Sequence, residues 1–315
     1  MAWIREQRTL REMARLLQRS RYYRPMRIAL AALLTSAFAT LLYAQQAGAP
    51  SAKVDENILF ATVDGVALHL DAFEPPAGTG GNHAAVVLIH GGTWSSLDKS
   101  TMRGMGEFLS RHGFVAFAVD YRLYHNGQNR WPAQLDDVQR AVRWVRANAA
   151  RYGVNPDRIG AFGHSAGGQL AALLGMEDTR DNSDAALAKF SSRVQAVVDV
   201  SGPVDFTRDH DSDGDTFLAR FLGASYQQKP ELWREASPVF LVAHGDAPFL
   251  IVHGTEDGNV PMAQSEELLQ KLQDAGVPAT LIKVEDGHTF HTPQARLQLA
   301  LQTLAFFNRY LIAAQ

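Results

Sequence analysis

A serine flanked by glycines at alternate positions lies in the run GHSAGG, residues 163–168. The run follows an apolar, strand-like segment, 158–162, and opens a small-residue helical segment, 169–175. A serine hydroxyl is a useful nucleophile when it projects from a sharp turn toward a base, and the glycines give such a turn room. A helix that begins at Ser165 also aims N–H groups and its positive end at negative charge forming there. The pattern predicts a nucleophilic serine; the alternative is a glycine-rich turn with an incidental serine.

Upstream of the serine, an apolar strand-like run ends in HGGTW, residues 90–94. Glycines there let the backbone approach a reacting carbonyl and point N–H groups at its oxygen. The amides of Gly92, Thr93 and Ala166 are therefore predicted to form an oxyanion hole, with Gly91 supporting the turn. Each such donor is worth roughly 3–4 kcal/mol of transition-state stabilisation. The alternative is a tight turn after a strand.

Downstream, the run HGTEDGNVP, residues 253–261, supplies an acid after a late strand. A carboxylate in such a loop can fix the tautomer of an imidazole and stabilise its cation. We expect Asp257 to do this, because the following Val-Pro and helix match the usual surroundings of that acid. Glu256 is the rival, and an exposed loop carboxylate is the alternative interpretation.

A histidine follows in GHTF, residues 287–290, between the last strand and the last helix. A histidine in that loop can lie over the serine as general base and then protonate a leaving alcohol. His288 is the predicted base and His291 is the fallback. His90 and His164 belong to motifs, and we expect them to brace loops rather than move protons.

Composition limits the function classes. The chain has 315 residues, a formal net charge of −3 and no cysteine. The absence of cysteine excludes disulfides, thiolate catalysis and thiolate metal sites, and the interspersed charges argue against nucleic acid as the main partner. No metal and no cofactor is predicted. The segment Asp209–Gly214 begins like a calcium loop, but Arg220 stands where the bidentate glutamate belongs, which favours a solvated acidic turn.

The N-terminal residues 1–49 read as an extension and a signal peptide. An apolar run, 28–44, follows Arg24 and Arg27, and small residues come after it. Met26 is the more natural start, because residues 1–25 would make an oddly long basic region. We expect an exported protein whose signal peptide is cleaved near residues 44–49. The alternative is an uncleaved membrane anchor. Only in that case is contact with a membrane predicted.

Strand and helix patterns alternate through the rest of the chain. A linker, 50–57, precedes a predicted domain, 58–315, which starts with a β-hairpin turning at Asp64-Gly65. Near-continuous apolar strands separated by amphipathic helices predict an α/β fold with a parallel sheet buried on both faces. The stretch 203–246 breaks the alternation and is predicted to be a lid-like insertion over the carboxyl edge of the sheet. The arginines that follow Asp136-Asp137 are predicted to form a solvated helix face.

Taken together, HGGTW, VDYRL (119–123), NPDRIGAFGHSAGG (155–168), HGTEDGNVP and GHTF resemble bacterial α/β-hydrolase esterases, closest to the hormone-sensitive-lipase-like and feruloyl-esterase-like (BD-FAE) carboxylesterases. The resemblance covers roughly residues 56–312. It implies an α/β-hydrolase fold, Ser165 as nucleophile, Asp257 as acid and His288 as base. One departure is Thr93, which replaces the third glycine of the HGGG found in many relatives; a backbone amide survives that change.

The predicted substrate is a small-molecule or polysaccharide-linked ester. Trp94, His164 and Phe290 are expected around the pocket, where aromatic rings would favour aromatic or glycosidic esters; core packing is the alternative for these rings. HGG-x-W followed by Asp98-Lys99 also resembles arylformamidases, whose triad is the same. A different class remains open as well, a catalytically idle α/β-hydrolase that only binds its ligand.

Overall fold

A computed structural model describes residues 53–78, 81–208 and 216–313. The predicted signal peptide, the start at Met26 and the acidic loop 209–215 lie outside these residues, so they remain predictions. Within the described part of the chain, no helix is both long and apolar enough to cross a membrane.

The described strands form one eight-stranded sheet in the order β1-β2-β4-β3-β5-β6-β7-β8. The first two strands form the predicted hairpin, with Val63 opposite Val66 and positive φ angles at Asp64 and Gly65. β2 pairs antiparallel with β4, and every later pairing is parallel. The strands are β1 (Lys53–Val63), β2 (Val66–Glu74), β3 (His83–Ile89), β4 (Val115–Val119), β5 (Val154–His164), β6 (Ala196–Val200), β7 (Phe249–Gly254) and β8 (Ala279–Val284).

Helices connect the parallel strands, and short 3₁₀ turns extend several of them. The α-helices in the described residues are α1 (Arg103–Arg111), α2 (Ala133–Ala147), α3 (Ala166–Met176), α4 (Phe217–Leu222), α5 (Pro230–Glu235), α6 (Met262–Asp274) and α7 (Pro293–Phe307). The 3₁₀ turns are Lys99–Met102, Ala149–Tyr152, Phe206–Arg208 and Pro238–Phe240, and a π-helical turn, Asn308–Ile312, follows α7.

Alternate residues of the central strands enter different core clusters, one on each face of the sheet. Val87 of β3 belongs to the cluster with α2, α3 and α6, whereas its neighbour Leu88 belongs to the cluster with α1 and α7. Both side chains are fully buried. Burial on both faces explains why these strands are apolar without a break, and the predicted α/β-hydrolase fold is confirmed.

Two sequence predictions about the fold were wrong, one on the start of β1 and one on the burial of α2. Residues 53–57 are not linker, because β1 begins at Lys53 and pairs with β2 from there. The arginine face of α2 is not solvated at its centre, since Arg140 and Arg143 are 5% and 0% exposed. Arg143 donates to the carbonyls of Asp181 and Leu187, so this face binds the segment between α3 and β6 instead of water.

Candidate active site

The predicted nucleophile lies on a tight strand-to-helix turn between β5 and α3. Ser165 has φ 56° and ψ −122°, a conformation that L residues rarely adopt and that is common at functional turns. A Cβ on Gly163 would lie 1.8 Å from the carbonyl oxygen of Gly167, and one on Gly167 would lie 2.2 Å from that of Ile89. Both glycines are therefore required by close backbone approach, as the sequence pattern predicts.

A hydrogen-bonded chain runs from this serine to an acid. His288 Nε2 lies 2.8 Å from Ser165 Oγ, and His288 Nδ1 lies 2.8 Å from Asp257 Oδ2. Ser165 follows β5 directly, Asp257 follows β7, and His288 lies in the loop between β8 and α7. The carboxyl ends of parallel strands meet at one edge of the sheet, and this brings three distant residues together.

The Asp257 carboxylate is held on both oxygens. Its Oδ1 accepts hydrogen bonds from the backbone N–H groups of Asn259 and Val260, at 2.8 and 2.9 Å. Burial alone would raise the pKa of this carboxyl, but the N–H of Val260, the imidazole of His288 and the N–H of Asn259 outweigh burial and lower it. An ionised acceptor facing His288 Nδ1 keeps the proton there and leaves the Nε2 lone pair toward Ser165.

The rival residues lie elsewhere. Glu256 is exposed on the same loop, and only its backbone N–H joins the site, by donating to the carbonyl of Asp286 at 3.0 Å. His291 is exposed at the start of α7, and its backbone N–H donates to the Asp286 carboxylate at 3.0 Å. Neither side chain is among those in contact with Ser165.

Two groups position the loop that carries His288. The Asp286 carboxylate accepts hydrogen bonds from the backbone N–H groups of Thr292, Gly287 and His291, which lower its pKa to about 2. His164 lies within 2.9 Å of the backbone carbonyl of His288 through Nε2. Because burial lowers the pKa of His164, its ring is neutral and donates its Nε2 proton to that carbonyl.

The HGGT loop turns sharply beside the serine. Thr93 and Trp94 have φ angles of 53° and 55°, and the N–H groups of the two following serines bond back to the carbonyl of Gly92. A Cβ on Gly91 would lie 2.9 Å from the carbonyl oxygen of His164, so the loop packs directly on the turn of residues 163–167, the elbow that carries Ser165. Thr93 and Ala166, two of the three residues predicted to supply oxyanion amides, line one cavity with Ser165.

Buried side chains fix this loop from behind. Tyr121 donates its hydroxyl toward the carbonyls of His90 and Gly91, each at 3.1 Å, and stacks on the His90 ring. Burial lowers the pKa of His90 to about 4, so it acts as a neutral brace. At the far end of the loop, Lys99 Nζ pairs with Asp71 Oδ1 on β2 at 3.0 Å. The loop is thereby tied to the hairpin.

The cavity above Ser165 has a volume of about 500 Å³. The insertion forms one wall with Pro203, Phe206, Phe217 and Leu218, as expected of a lid-like segment. The loop after β7 forms another wall with residues 258–261, and Gln264 of α6 adjoins it. One side of the cavity is thus apolar, and the other carries polar groups.

Of the three predicted pocket residues, only Trp94 lines the cavity. Its indole Nε1 donates to Gln169 Oε1 at 3.1 Å, and its ring stacks on Phe221. The predictions for His164 and Phe290 were wrong. His164 points at the loop of His288, and Phe290, 7% exposed, packs into the core cluster that contains α1 and α7.

Sequence reasoning missed two buried polar residues around the site, because neither of them belongs to a motif. Gln169 accepts from Trp94 and donates to the carbonyl of Ala236, joining α3 to the insertion. Asp199 lies beneath α3, where its Oδ1 accepts from the N–H of Gly202 at 3.0 Å. Burial raises its pKa to about 7. Among the described residues, no three His, Asp or Glu side chains converge as a metal site requires.

Comparison with known proteins identifies the family. The BD-FAE family model matches residues 70–272, from β2 to α6. The chain belongs to the BD-FAE family. The predicted resemblance to α/β-hydrolase esterases is confirmed.

Relatives of this BD-FAE chain include the probable carboxylic ester hydrolase LipM of Mycobacterium tuberculosis, 32% identical over 66% of this chain and 49% of its own. The chain spans about half the length of the curated relatives it matches. Among solved structures, a truncated carbohydrate esterase from gut microbiota has a TM-score of 0.71 and 28% identity, with 84% of this chain and 98% of that chain covered. The butyrate-bound esterase Est2 of Thermogutta terrifontis has a TM-score of 0.71 and 26% identity, with 85% and 98% covered.

Proposed function

We propose that this protein is a serine carboxylesterase in which Ser165, His288 and Asp257 form the catalytic triad. The observation that carries the proposal is the continuous chain of contacts from Ser165 Oγ through both nitrogens of His288 to Asp257, each 2.8 Å long, on the wall of a cavity of about 500 Å³. Such a volume is at the lower end of the range for small-molecule pockets. A protein that only binds a ligand has no need of this geometry.

In the first half-reaction, Ser165 Oγ attacks the ester carbonyl while its proton passes to His288 Nε2. The C–O bond to the alcohol then breaks, and the alcohol leaves with that proton. The imidazolium that forms in between faces the ionised Asp257, which stabilises it without accepting its proton. In the second half-reaction, water gives a proton to His288 and attacks the acyl group, and Ser165 recovers its proton as the acid departs.

The backbone amides of Ala166, Thr93 and Gly92 hold the oxyanion in this proposal. Ala166 is the first residue of α3, so its N–H has no partner within its own helix. This N–H belongs to the positive end of the helix dipole, which favours a negative charge nearby. Thr93 lines the same cavity and has a left-handed backbone, which supports its proposed role as the second amide donor. The amides are fixed before the substrate arrives, which is the condition under which such donors accelerate acyl transfer.

The relatives favour an ester over a formamide as the substrate. LipM is named a probable carboxylic ester hydrolase, and structures of Est2 are described with bound butyrate and bound propionate. The apolar wall formed by Trp94, Phe206 and Phe217 suits a short acyl chain in this protein. Esters of acetate to butyrate are therefore the proposed substrate class.

The test is a panel of p-nitrophenyl esters from acetate to octanoate together with N-formylkynurenine, measured on the full chain. We expect turnover to be highest at two to four acyl carbons and to disappear in Ser165→Ala. Paraoxon, which phosphorylates Thermogutta terrifontis esterase 2, is the matching covalent probe. It should release one p-nitrophenol per molecule and place a diethylphosphoryl group on Ser165.

Ser183→Ala is the matched control, because Ser183 is an exposed serine away from the cavity lining. It should keep both turnover and labelling. Full ester turnover by Ser165→Ala, or phosphorylation at another residue, would refute the assignment. A preference for N-formylkynurenine over every ester would instead establish the arylformamidase alternative.

Export remains a proposal that rests on the sequence of residues 1–49 alone. N-terminal sequencing of protein recovered outside the cytoplasm tests it. A mature end between about Gln45 and Pro50 is the expected result for signal-peptide cleavage. A chain that retains residues 28–44 would support the anchored alternative.

A further inference from the structure

A second histidine contacts the acid of the proposed triad. His253, at the end of β7, is fully buried, and its Nε2 lies 3.2 Å from Asp257 Oδ2. The same Nε2 lies 3.0 Å from the backbone carbonyl oxygen of Val260, and Nδ1 lies 2.6 Å from Ser265 Oγ on α6. His253 therefore joins the loop that carries Asp257 to α6.

The contacts determine where His253 carries its proton. Two oxygens that can only accept, those of Val260 and Asp257, face Nε2, so a bare nitrogen there would be repelled by both. Nε2 must carry the proton, and Nδ1 is then an acceptor. Ser265 supplies the matching donor, because its hydroxyl can rotate toward Nδ1. Burial lowers the pKa of His253, which keeps the ring neutral with this single proton.

We propose that His253, held in this tautomer by Ser265, is a positioning residue that shares Asp257 Oδ2 with His288. The inference rests on the proposed function, since it assigns Asp257 as the triad acid. It extends the chain of contacts from Ser165 to α6 through His288, Asp257 and His253.

Sharing one oxygen between two imidazoles changes its strength as an acceptor. Asp257 accepts two hydrogen bonds on Oδ1 and one, from His288, on Oδ2, and His253 Nε2 makes a further 3.2 Å contact with Oδ2. Without the His253 donor, the negative charge on Oδ2 acts on His288 alone. His288 would then hold a second proton more tightly, and the base would be lost at a higher pH.

Other charged and titratable groups of the described residues also face this cluster. The charge of Glu266 on α6 acts on His253, as do those of Asp257 and His288. His164, at the end of β5, faces His288 from the elbow side. All of these groups remain in the variants below, so a change in pH dependence reports the loss of the His253 donor.

The experiment compares His253→Leu, His253→Gln and Ser265→Ala with the wild-type chain, using p-nitrophenyl acetate between pH 5 and 9. In His253→Leu we expect kcat to fall about tenfold, because the Asp257 carboxylate loses a contact that holds it in position beneath His288. The acid limb of kcat/KM should move to higher pH by about half a unit or more. KM should stay constant, because neither His253 nor Ser265 lines the cavity.

The other two variants separate positioning from packing. Glutamine can place its Nε2 donor near the position of the imidazole Nε2, so His253→Gln should restore most of kcat and the wild-type acid limb. Ser265→Ala should shift the limb in the same direction as leucine but by less, because the tautomer is no longer fixed. His291→Leu, which removes an exposed imidazole, is the control and should match wild type.

Two outcomes overturn the inference. In the first, the leucine and glutamine variants lower kcat equally and leave the acid limb unmoved, which means that His253 serves only packing. We expect the low-field proton resonance of His288 Nδ1–H to move downfield in His253→Leu and to return to its wild-type position in His253→Gln. In the second outcome, this resonance has the same chemical shift in wild type and in His253→Leu. If His253→Leu fails to fold, the glutamine and Ser265→Ala comparison decides.

The resonance needs no turnover, so it tests the contact even if the ester assignment fails. Failure of the proposed function is recognised separately, by retained turnover in Ser165→Ala. The esterase assignment and the role of His253 are therefore tested by different measurements.

Discussion

Replacing Asp257 by asparagine tests the proposed mechanism at its most constrained atom. The backbone N–H groups of Asn259 and Val260 both point at Oδ1, at 2.8 and 2.9 Å. The amide oxygen of Asp257→Asn must take that position, because an NH₂ group there would meet two donors. The NH₂ group is then forced into the place of Oδ2, where it faces His288 Nδ1 and lies near one other donor, His253 Nε2, whose N–H is hydrogen-bonded to Val260.

This orientation gives His288 the wrong tautomer. Its Nδ1 must become an acceptor, so its proton moves to Nε2, which faces Ser165 Oγ and can no longer receive a proton from it. In serine hydrolases built this way, an acid-to-amide change lowers kcat by about 10⁴, equal to about 5.4 kcal/mol in the barrier. The fold should survive, since the amide keeps the size of the carboxyl and both bonds to Oδ1.

The assay is kcat for p-nitrophenyl acetate near pH 8, with the rate of paraoxon labelling as a second readout. Glu256→Gln is the matched control, because it makes the same chemical change at the adjacent, exposed carboxylate. Activity of Asp257→Asn above about one hundredth of wild type would refute the argument from tautomers. A comparable loss in Glu256→Gln would show that the acid has been assigned to the wrong residue.

Three further predictions concern the support of the site. His164→Leu removes the 2.9 Å bond to the His288 carbonyl, so kcat should fall about tenfold while KM stays constant, as steady-state kinetics will show. Burial raises the pKa of Asp199 from 3.8 to about 7. Between these two pKa values the folded protein holds a proton that the unfolded chain releases. The free energy of unfolding of the wild type should therefore fall as pH rises from about 4 to about 7, by up to about 1.4 kcal/mol per pH unit. Asp199→Asn should flatten this dependence in thermal melts from pH 4 to 8; a parallel decline would contradict it. Lys99→Met leaves the buried carboxylate of Asp71 without its cation and should cost about 3–5 kcal/mol in urea unfolding, and the double variant with Asp71→Leu should recover most of it.

The sequence was sufficient to predict those contacts that depend only on where the strands end. Ser165, Asp257 and His288 each follow or approach an apolar strand that the pattern identifies, and parallel strands bring their carboxyl ends to one edge. Their mutual contacts could therefore be predicted without knowing the packing. The need for glycines in the elbow could also be predicted from the sequence, because close backbone approach excludes any other residue there.

Prediction failed where a contact depends on which surface covers a side chain. Arg143 has the periodicity of a solvated helix face, but the segment before β6 folds over it and supplies carbonyl acceptors. Phe290 is only two residues from His288, yet the loop turns between them and sends the ring into the core. Periodicity describes one element alone, whereas burial depends on its neighbours.

The three histidines of the site show how placement divides one residue type among different tasks. β5 ends in His164 next to Ser165, and β7 carries His253 four residues before Asp257. Each strand thus positions one residue of the proposed triad and one neutral imidazole. The imidazole of β5 holds the backbone of His288, and that of β7 contacts the carboxylate that His288 needs. Loops from three strands are cross-linked in this way, so His288 is fixed through both its backbone and its acid, and its Nε2 is left as the nitrogen that faces the serine.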